Sequence, residues 1–210
     1  MQLNRYKLHL ILLLGAGLFA TAATWAVFRW GVEHSGTDLP VLGTVPAFAL
    51  TNSDGAPLSQ QQLAGSVWVA DFIFTQCPGM CPVLSAQMAR VQKALPSSAV
   101  RLVSFSVDPK NDTPEALRAY ADRFGADQDR WLFVTGQRDA LYDLIQRGFR
   151  LAVAERSEAE ARDGDGLITH SDRFVLVDGD LQIRGYYHGM DDADVERLMR
   201  DIHKLERGDS

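Results

Sequence analysis

Cys77 and Cys81 are the only cysteines of the chain, four positions apart in "FIFTQCPGMCP" with a proline after each. In a near-helical turn, side chains at i and i+4 share a face with Cβ atoms about 5–6 Å apart. Two thiolates so placed can grip one ion at about 2.3 Å each. Small rotations would bring the Cβ atoms to the ~3.8 Å that a disulfide requires. The spacing therefore admits a structural disulfide, a redox pair or part of a metal site. A disulfide closing so short a loop removes little unfolded-state entropy, so as a staple it stabilises weakly. A closed structural zinc site takes four protein ligands, more than two cysteines supply. Soft thiolates joined by one imidazole suit Cu(I) better. A helix is expected to start at this segment, and its N-terminus should lower the thiol pKa. Pro78 and Pro82 remove two backbone donors and stiffen the loop.

A third ligand would come from five histidines. His9 lies in an apolar N-terminal segment, His34 in a polar stretch after it, and His203 on an expected terminal helix. His188, in "YYHGMD", stands at the end of an expected hairpin, where exposure to solvent accounts for it. His170, in "GLITHSDRF", follows a glycine-bearing loop and precedes an expected core strand. From a loop at a strand end it could reach the cysteine segment, although a lone histidine is more often structural than a ligand. Met80 offers a thioether beside the cysteines, or equally a hydrophobic contact at a docking surface. Asp108 could support the site from behind, or simply form the turn in "DPKND".

The elements that must position these residues follow from periodicity. "SVWVADFIF" (66–74) and "VRLVSFSV" (100–107) read as buried strands, and "WLFVTG" as a shorter one. Apolar residues at Val83, Leu84, Met88, Val91 and Leu95 predict a helix after the cysteines. Thr113, Pro114 and Glu115 predict another helix start, with Gly125 as its stop. A further helix is expected from Asp139 to Arg147. "NSDG" predicts a small early hairpin, and "RFVLVDGDLQIRGYY" a late one around Asp178-Gly179-Asp180. "AERSEAEARDGDG" reads as an exposed charged loop, and Asp191 to Leu205 as an amphipathic closing helix. Alternating strands and helices followed by a hairpin and helix describe an α/β, thioredoxin-like sandwich with an N-terminal hairpin.

Ahead of this domain, Arg5 and Lys7 precede 19 uncharged residues from Leu10 to Phe28. That run is long enough for a transmembrane helix across a core of ~30 Å, and it outlasts the about 7–15 apolar residues of a cleaved signal. The expected organisation is a membrane anchor over residues 1–30, a tether over 31–44 and one domain over 45–207. Positive charge before the span places the domain outside the cytoplasm. With no transit-type segment ahead of the span, a bacterial inner-membrane protein with a periplasmic domain is expected. A net charge of −6 and the lack of a basic, aromatic-interleaved stripe exclude a nucleic-acid partner.

"FTQCPGMCP", "SVDPKNDTPEALRAYADRFGAD" with "WLFVTG", and "THSDRFVLVDGD" together resemble the SCO/SenC family of membrane-tethered copper proteins, over about residues 45–205. The resemblance implies copper as the cofactor, held by Cys77, Cys81 and His170. It also implies delivery to the copper A centre of cytochrome c oxidase, with subunit II as the receiving partner and another copper chaperone as donor. The family usually carries an acidic residue between its cysteines, where this chain has Gly79-Met80. The rival function is a periplasmic thiol–disulfide reductase, in which Cys77 and Cys81 would be the catalytic pair. The x3 spacing, rather than the x2 of thioredoxin-type motifs, and the histidine favour copper. A peroxidase on this scaffold would need a motif around a single peroxidatic cysteine that the chain lacks.

Overall fold

In a computed structural model, which describes residues 39–95, 99–155 and 168–207, the chain runs through ten strands and four α-helices among the described residues. They are β1 (Gly43–Thr44), β2 (Ala49–Asn52), β3 (Pro57–Ser59), β4 (Trp68–Ile73), α1 (Met80–Ala94), β5 (Arg101–Ser106), α2 (Pro114–Arg123), β6 (Trp131–Thr135), α3 (Arg138–Asp143), β7 (Val153–Glu155), β8 (Ile168–His170), β9 (Arg173–Val177), β10 (Gln182–His188) and α4 (Asp192–Glu206). A π-helical turn, Leu144–Gly148, continues α3. The expected anchor over residues 1–30 lies outside the described residues. Among those described, no helix is long and apolar enough to cross a membrane.

Eight strands form one sheet in the order β1-β10-β9-β4-β5-β6-β2-β3, while β7 and β8 pair separately. β4, β5 and β6 are parallel, and β9 lies antiparallel against β4. All six residues of β4 are buried, as a central strand covered on both faces must be. Its side chains divide by parity. Trp68 and Phe72 meet Phe149 edge-on, with ring centroids 6.2 Å and 5.2 Å away. Asp71 and Ile73 point to the opposite face. There the Tyr120 and Ser85 hydroxyls, from α2 and α1, lie 2.9 Å apart. Gln87 and Arg90 of α1 bond Asp192 at the start of α4, so α1 and α4 lie side by side.

The expected α/β architecture and its caps are present. Thr113 accepts from the Ala116 N–H, and Gly125 ends α2 with φ +63°. Three features differ from the sequence reading. The stretch expected as a tether already contributes β1, which pairs with β10 through Gly43 and Thr44. The first helix begins at Met80 rather than Val83, because Pro82 is tolerated in a first turn whose N–H groups lack intrahelical partners anyway. The charged stretch read as a loop starts and ends in a ribbon, β7 with β8, and residues 156–167 between them lie outside the described residues.

Candidate metal site

The cysteine segment is the link between the end of β4 and the first turn of α1. Cys77 N–H donates to the Phe74 carbonyl (3.2 Å), which turns the chain back towards the helix. Cys81 is the second helical residue, with Gly79 before the helix start. Its N–H, one of the donors that a helix start leaves without an intrahelical partner, reaches the Cys77 sulfur at 3.4 Å. The Phe74 N–H approaches the Cys81 sulfur at 3.5 Å. Both cysteines are thiols in this structure, Cys77 half-buried and Cys81 fully buried. Gln76, Pro78 and Gly79 are exposed around them, and Met80 is partly buried against the core.

At Cys81 the expected lowering of thiol pKa is reversed. Its hydrogen bond with Cys77 pushes the thiol well above the usual range, followed by burial, with Asp71 beneath adding to the rise. The helix dipole loses because the sulfur is taken out of water beside a second sulfur and near a carboxylate. A bound cation would invert this balance, since thiolates are the metal-ligating form.

A buried carboxylate unremarked in the sequence reading holds the segment from the other side. Asp112 is fully buried and accepts from Thr75 N–H (3.1 Å), Thr75 Oγ1 (2.6 Å) and Ser106 Oγ (2.6 Å). Thr75 is two residues before Cys77, so this clamp ties the cysteine segment to the loop after β5. Burial raises the Asp112 pKa above its ordinary value, and the three hydrogen bonds oppose the rise. Asp108 resolves into the turn-forming alternative: its carbonyl accepts from Asn111 and Asp112 N–H, and its carboxylate from Asn111 Nδ2. The signal for Asp112 was a polar residue between a buried strand and a capped helix, hidden within an ordinary turn sequence.

His170 closes β8 and pairs through its backbone with Val153; its side chain lies outside the described ones. The backbone still locates this strand end. β9 starts at Arg173 and runs antiparallel to β4, so its first residues share a sheet end with the last residues of β4, which lead to the cysteines. The Asp172 carbonyl accepts from Gly189 N–H at 2.9 Å. Gly189 sits against α1, where an added Cβ would come within 2.6 Å of Leu84 Cδ2 and 2.8 Å of the Phe174 ring. Leu84 is three residues past Cys81. The strand end bearing His170 is thus tied through Asp172 and Gly189 to the first turns of the cysteine helix. Gly189→Ala is expected to force that junction apart and to cost about 1–3 kcal/mol, the usual range for overpacking. A thermal melt should show a Tm several degrees below wild type.

The remaining described histidines are bound elsewhere. His188 Nδ1 lies 2.9 Å from Asp172 Oδ2, and His203 Nδ1 lies 3.3 Å from Glu206 Oε2. Both are exposed, which fits the sequence reading of each.

Comparison with known proteins bears on this arrangement. The family model described as SCO1/SenC matches residues 40–207. A SCO1 protein homolog of Bacillus subtilis (strain 168) is 33% identical over 166 residues, covering 78% of this chain and 83% of that protein. A Stutzerimonas stutzeri protein, named as a proposed copper-binding protein, is 30% identical over 151 residues, or 70% of this chain and 71% of its own. Among solved structures, BsSco superposes with a TM-score of 0.69 at 32% identity, over 79% of this chain and 95% of that one. BsSco is described as having a disulfide switch and as a member of the Sco family of cytochrome c oxidase assembly proteins. The match spans the sheet, the cysteine link and the His170 strand, so the chain belongs to the SCO1/SenC family.

Proposed function

We propose that this protein carries copper on Cys77, Cys81 and His170 and passes it to the copper A centre of cytochrome c oxidase, with subunit II as the receiving partner. In the same reading, residues 1–30 anchor the chain in a bacterial inner membrane, the domain faces the periplasm, and another copper chaperone loads it. The observation that carries the reading is the hydrogen-bonded pair of Cys77 and Cys81 at the start of α1, at the sheet end where β9, the strand that follows His170, begins. Two soft sulfurs and an imidazole match Cu(I) in ligand type. Relatives described as a proposed copper-binding protein and as an oxidase assembly protein support it.

The unequal burial of the two cysteines gives the transfer a direction. Cys77 is the accessible sulfur, flanked by exposed Gln76, Pro78 and Gly79, whereas Cys81 is enclosed. An incoming partner thiolate would displace Cys77 first, leaving Cys81 as the last ligand released. Loading releases the thiol protons, so the metal must offset the cost of ionising the buried Cys81.

Anaerobic Cu(I) titration of the reduced full-length protein against a competing chelator tests the ligand set. Structural sites with four ligands are worth about 10–16 kcal/mol, so losing one ligand should weaken binding by roughly a hundredfold to a thousandfold. His170→Ala is expected to show that loss. Undiminished affinity in this variant would remove His170 from the site.

A thiol–disulfide reductase remains the second reading, and the same burial difference favours it, as does the disulfide switch of BsSco. Cys77 would attack and Cys81 would resolve, because only Cys77 is open to a partner disulfide. A wild-type protein that binds no copper but rapidly reduces a disulfide substrate would establish this reading over the first.

A further inference from the structure

Beside the strand that carries His170, the structure has an open cavity of about 520 Å³ lined by Leu42, Arg150, Leu151, Arg173 and Tyr186. Two guanidinium groups line this one concavity, with no carboxylate among the described residues that line it, on a chain of net charge −6. Arg150 has φ +54°, immediately after the π-helical turn and Phe149. This left-handed position at a helix end is the one that glycine fills without a Cβ penalty. The turn is nevertheless closed as a helix end, with Phe149 N–H on Leu144 O and Leu151 N–H on Ile145 O. A side chain kept there against the backbone preference points to a use for that side chain. Its charge also acts on the Tyr186 hydroxyl, which donates to the Phe149 carbonyl at 3.1 Å. Arg173, the other cation, lies 3.9 Å from Asp172 Oδ1, and its charge also helps to hold the Asp194 carboxyl below its usual range.

Two of the cavity's lining residues stand a few positions from the ribbon that carries His170. Arg173 follows His170 by three residues, and Leu151 precedes by two residues the Val153 that pairs with His170. Each Cα–Cα step spans 3.8 Å at most, so both cavity residues lie within about 11 Å of that strand pair along the backbone.

We propose that this cavity is a docking pocket for an acidic side chain of the copper-receiving protein, whose carboxylate is gripped by Arg150 and Arg173. The planar guanidinium fork matches a carboxylate in two parallel hydrogen bonds. Leu42, Leu151 and Tyr186 supply apolar walls for the aliphatic stem of the acid and its neighbours. An acid held here fixes the partner against the strand that ends in His170, next to the metal to be moved. The inference rests on the copper-transfer reading and specifies how the partner is held.

The test uses full-length protein in detergent and, as probe, the soluble metal-free copper A domain of oxidase subunit II from the same organism. Arg150→Gly deletes the guanidinium and installs the residue that suits the left-handed backbone. Its Tm is therefore expected to equal or exceed wild type, and its Cu(I) affinity to stay unchanged. Its Kd for the copper A domain should rise about tenfold or more, the size of one charge-assisted hydrogen bond, with a shallower salt dependence. Arg173→Gln should act in the same direction. If Arg150→Gly and Arg173→Gln both bind the domain as wild type does, the docking pocket is refuted while copper transfer stands. Binding to phosphatidylglycerol vesicles that depends on Arg150, without such dependence for the copper A domain, would assign the pocket to lipid headgroups and overturn the proposal. A wild type that binds no Cu(I) would instead sink the functional reading beneath it.

Discussion

Cys81→Ser is expected to lower Cu(I) affinity by roughly a hundredfold to a thousandfold, as loss of one ligand should, and to destabilise the fold as well. Cys77→Ser should match the first effect and lack the second. The difference follows from burial: Cys81 is fully enclosed among Leu84, Met88 and the other core residues, while Cys77 is only half-buried. A serine hydroxyl in the Cys81 position is smaller than sulfur and more polar. Placing it in this buried site costs about 1–3 kcal/mol unless it keeps a well-placed partner. The Phe74 N–H, 3.5 Å from the sulfur, is too far for a good bond to oxygen without movement. Paired chelator competition and thermal melts on the two variants check both halves. Equal stability of the two serine variants would contradict the assigned burial. Wild-type copper affinity in either would remove that cysteine from the site.

Asp112→Ala should have the second-largest effect, without touching a metal ligand. It strips the acceptor from Thr75 N–H, Thr75 Oγ1 and Ser106 Oγ together. Buried donors left without acceptors make a loss of about 2–4 kcal/mol the expected scale. At roughly 2–4 °C per kcal/mol for a domain of this size, the Tm falls by about 5–15 °C. Because Thr75 leads directly into Cys77, copper affinity should also fall by about 10–100-fold, the usual cost of losing an orienting partner. Asp112→Asn keeps an oxygen for Thr75 and offers an N–H to Ser106 Oγ, so it should rescue most of both losses. The two forms then separate with pH. Burial raises the folded-state pKa of Asp112 above the unfolded value of 3.8, so the folded state holds this proton more tightly. The stability contributed by that proton is complete below the unfolded pKa and is lost as pH rises through the folded one. Asparagine has no such proton. The stability difference between wild type and Asp112→Asn should therefore shift against wild type as pH rises above about 4. A difference independent of pH would mean that Asp112 is not raised.

The elements legible in the sequence were those whose burial imposes a pattern. The apolar run around Trp68–Ile73, interrupted only by Asp71, and the Thr113-Pro114-Glu115 start announced the central strand and the second helix. The cysteine pair was legible for another reason: its chemistry is rare in the chain and local in sequence. The ribbon of β7 and β8 was not legible, because its arms are three residues long, stand apart from the main sheet and border a charged stretch. Asp112 was hidden because turn formation accounts for an aspartate in "DPKND" without any buried role. Arg150 was invisible for the opposite reason: a left-handed helix end is announced by glycine, and this one carries an arginine.

The hold of Arg184 on the start of the domain bears on where the molecule can reach. Arg184 pairs with Asp178 at 2.7 Å in a buried contact, and its Nε and Nη2 donate to the Leu39 carbonyl. From there β1 runs back along β10, with Thr44 beside Gln182. Leu39 consequently lies beside the later part of β10, near Tyr187, at the end of the sheet that carries the cysteine link. A leash fastened to a surface ahead of residue 39 would leave the domain from its working end rather than its far end. A partner that engages the cysteine link must therefore share that end of the sheet with the chain that enters at Leu39.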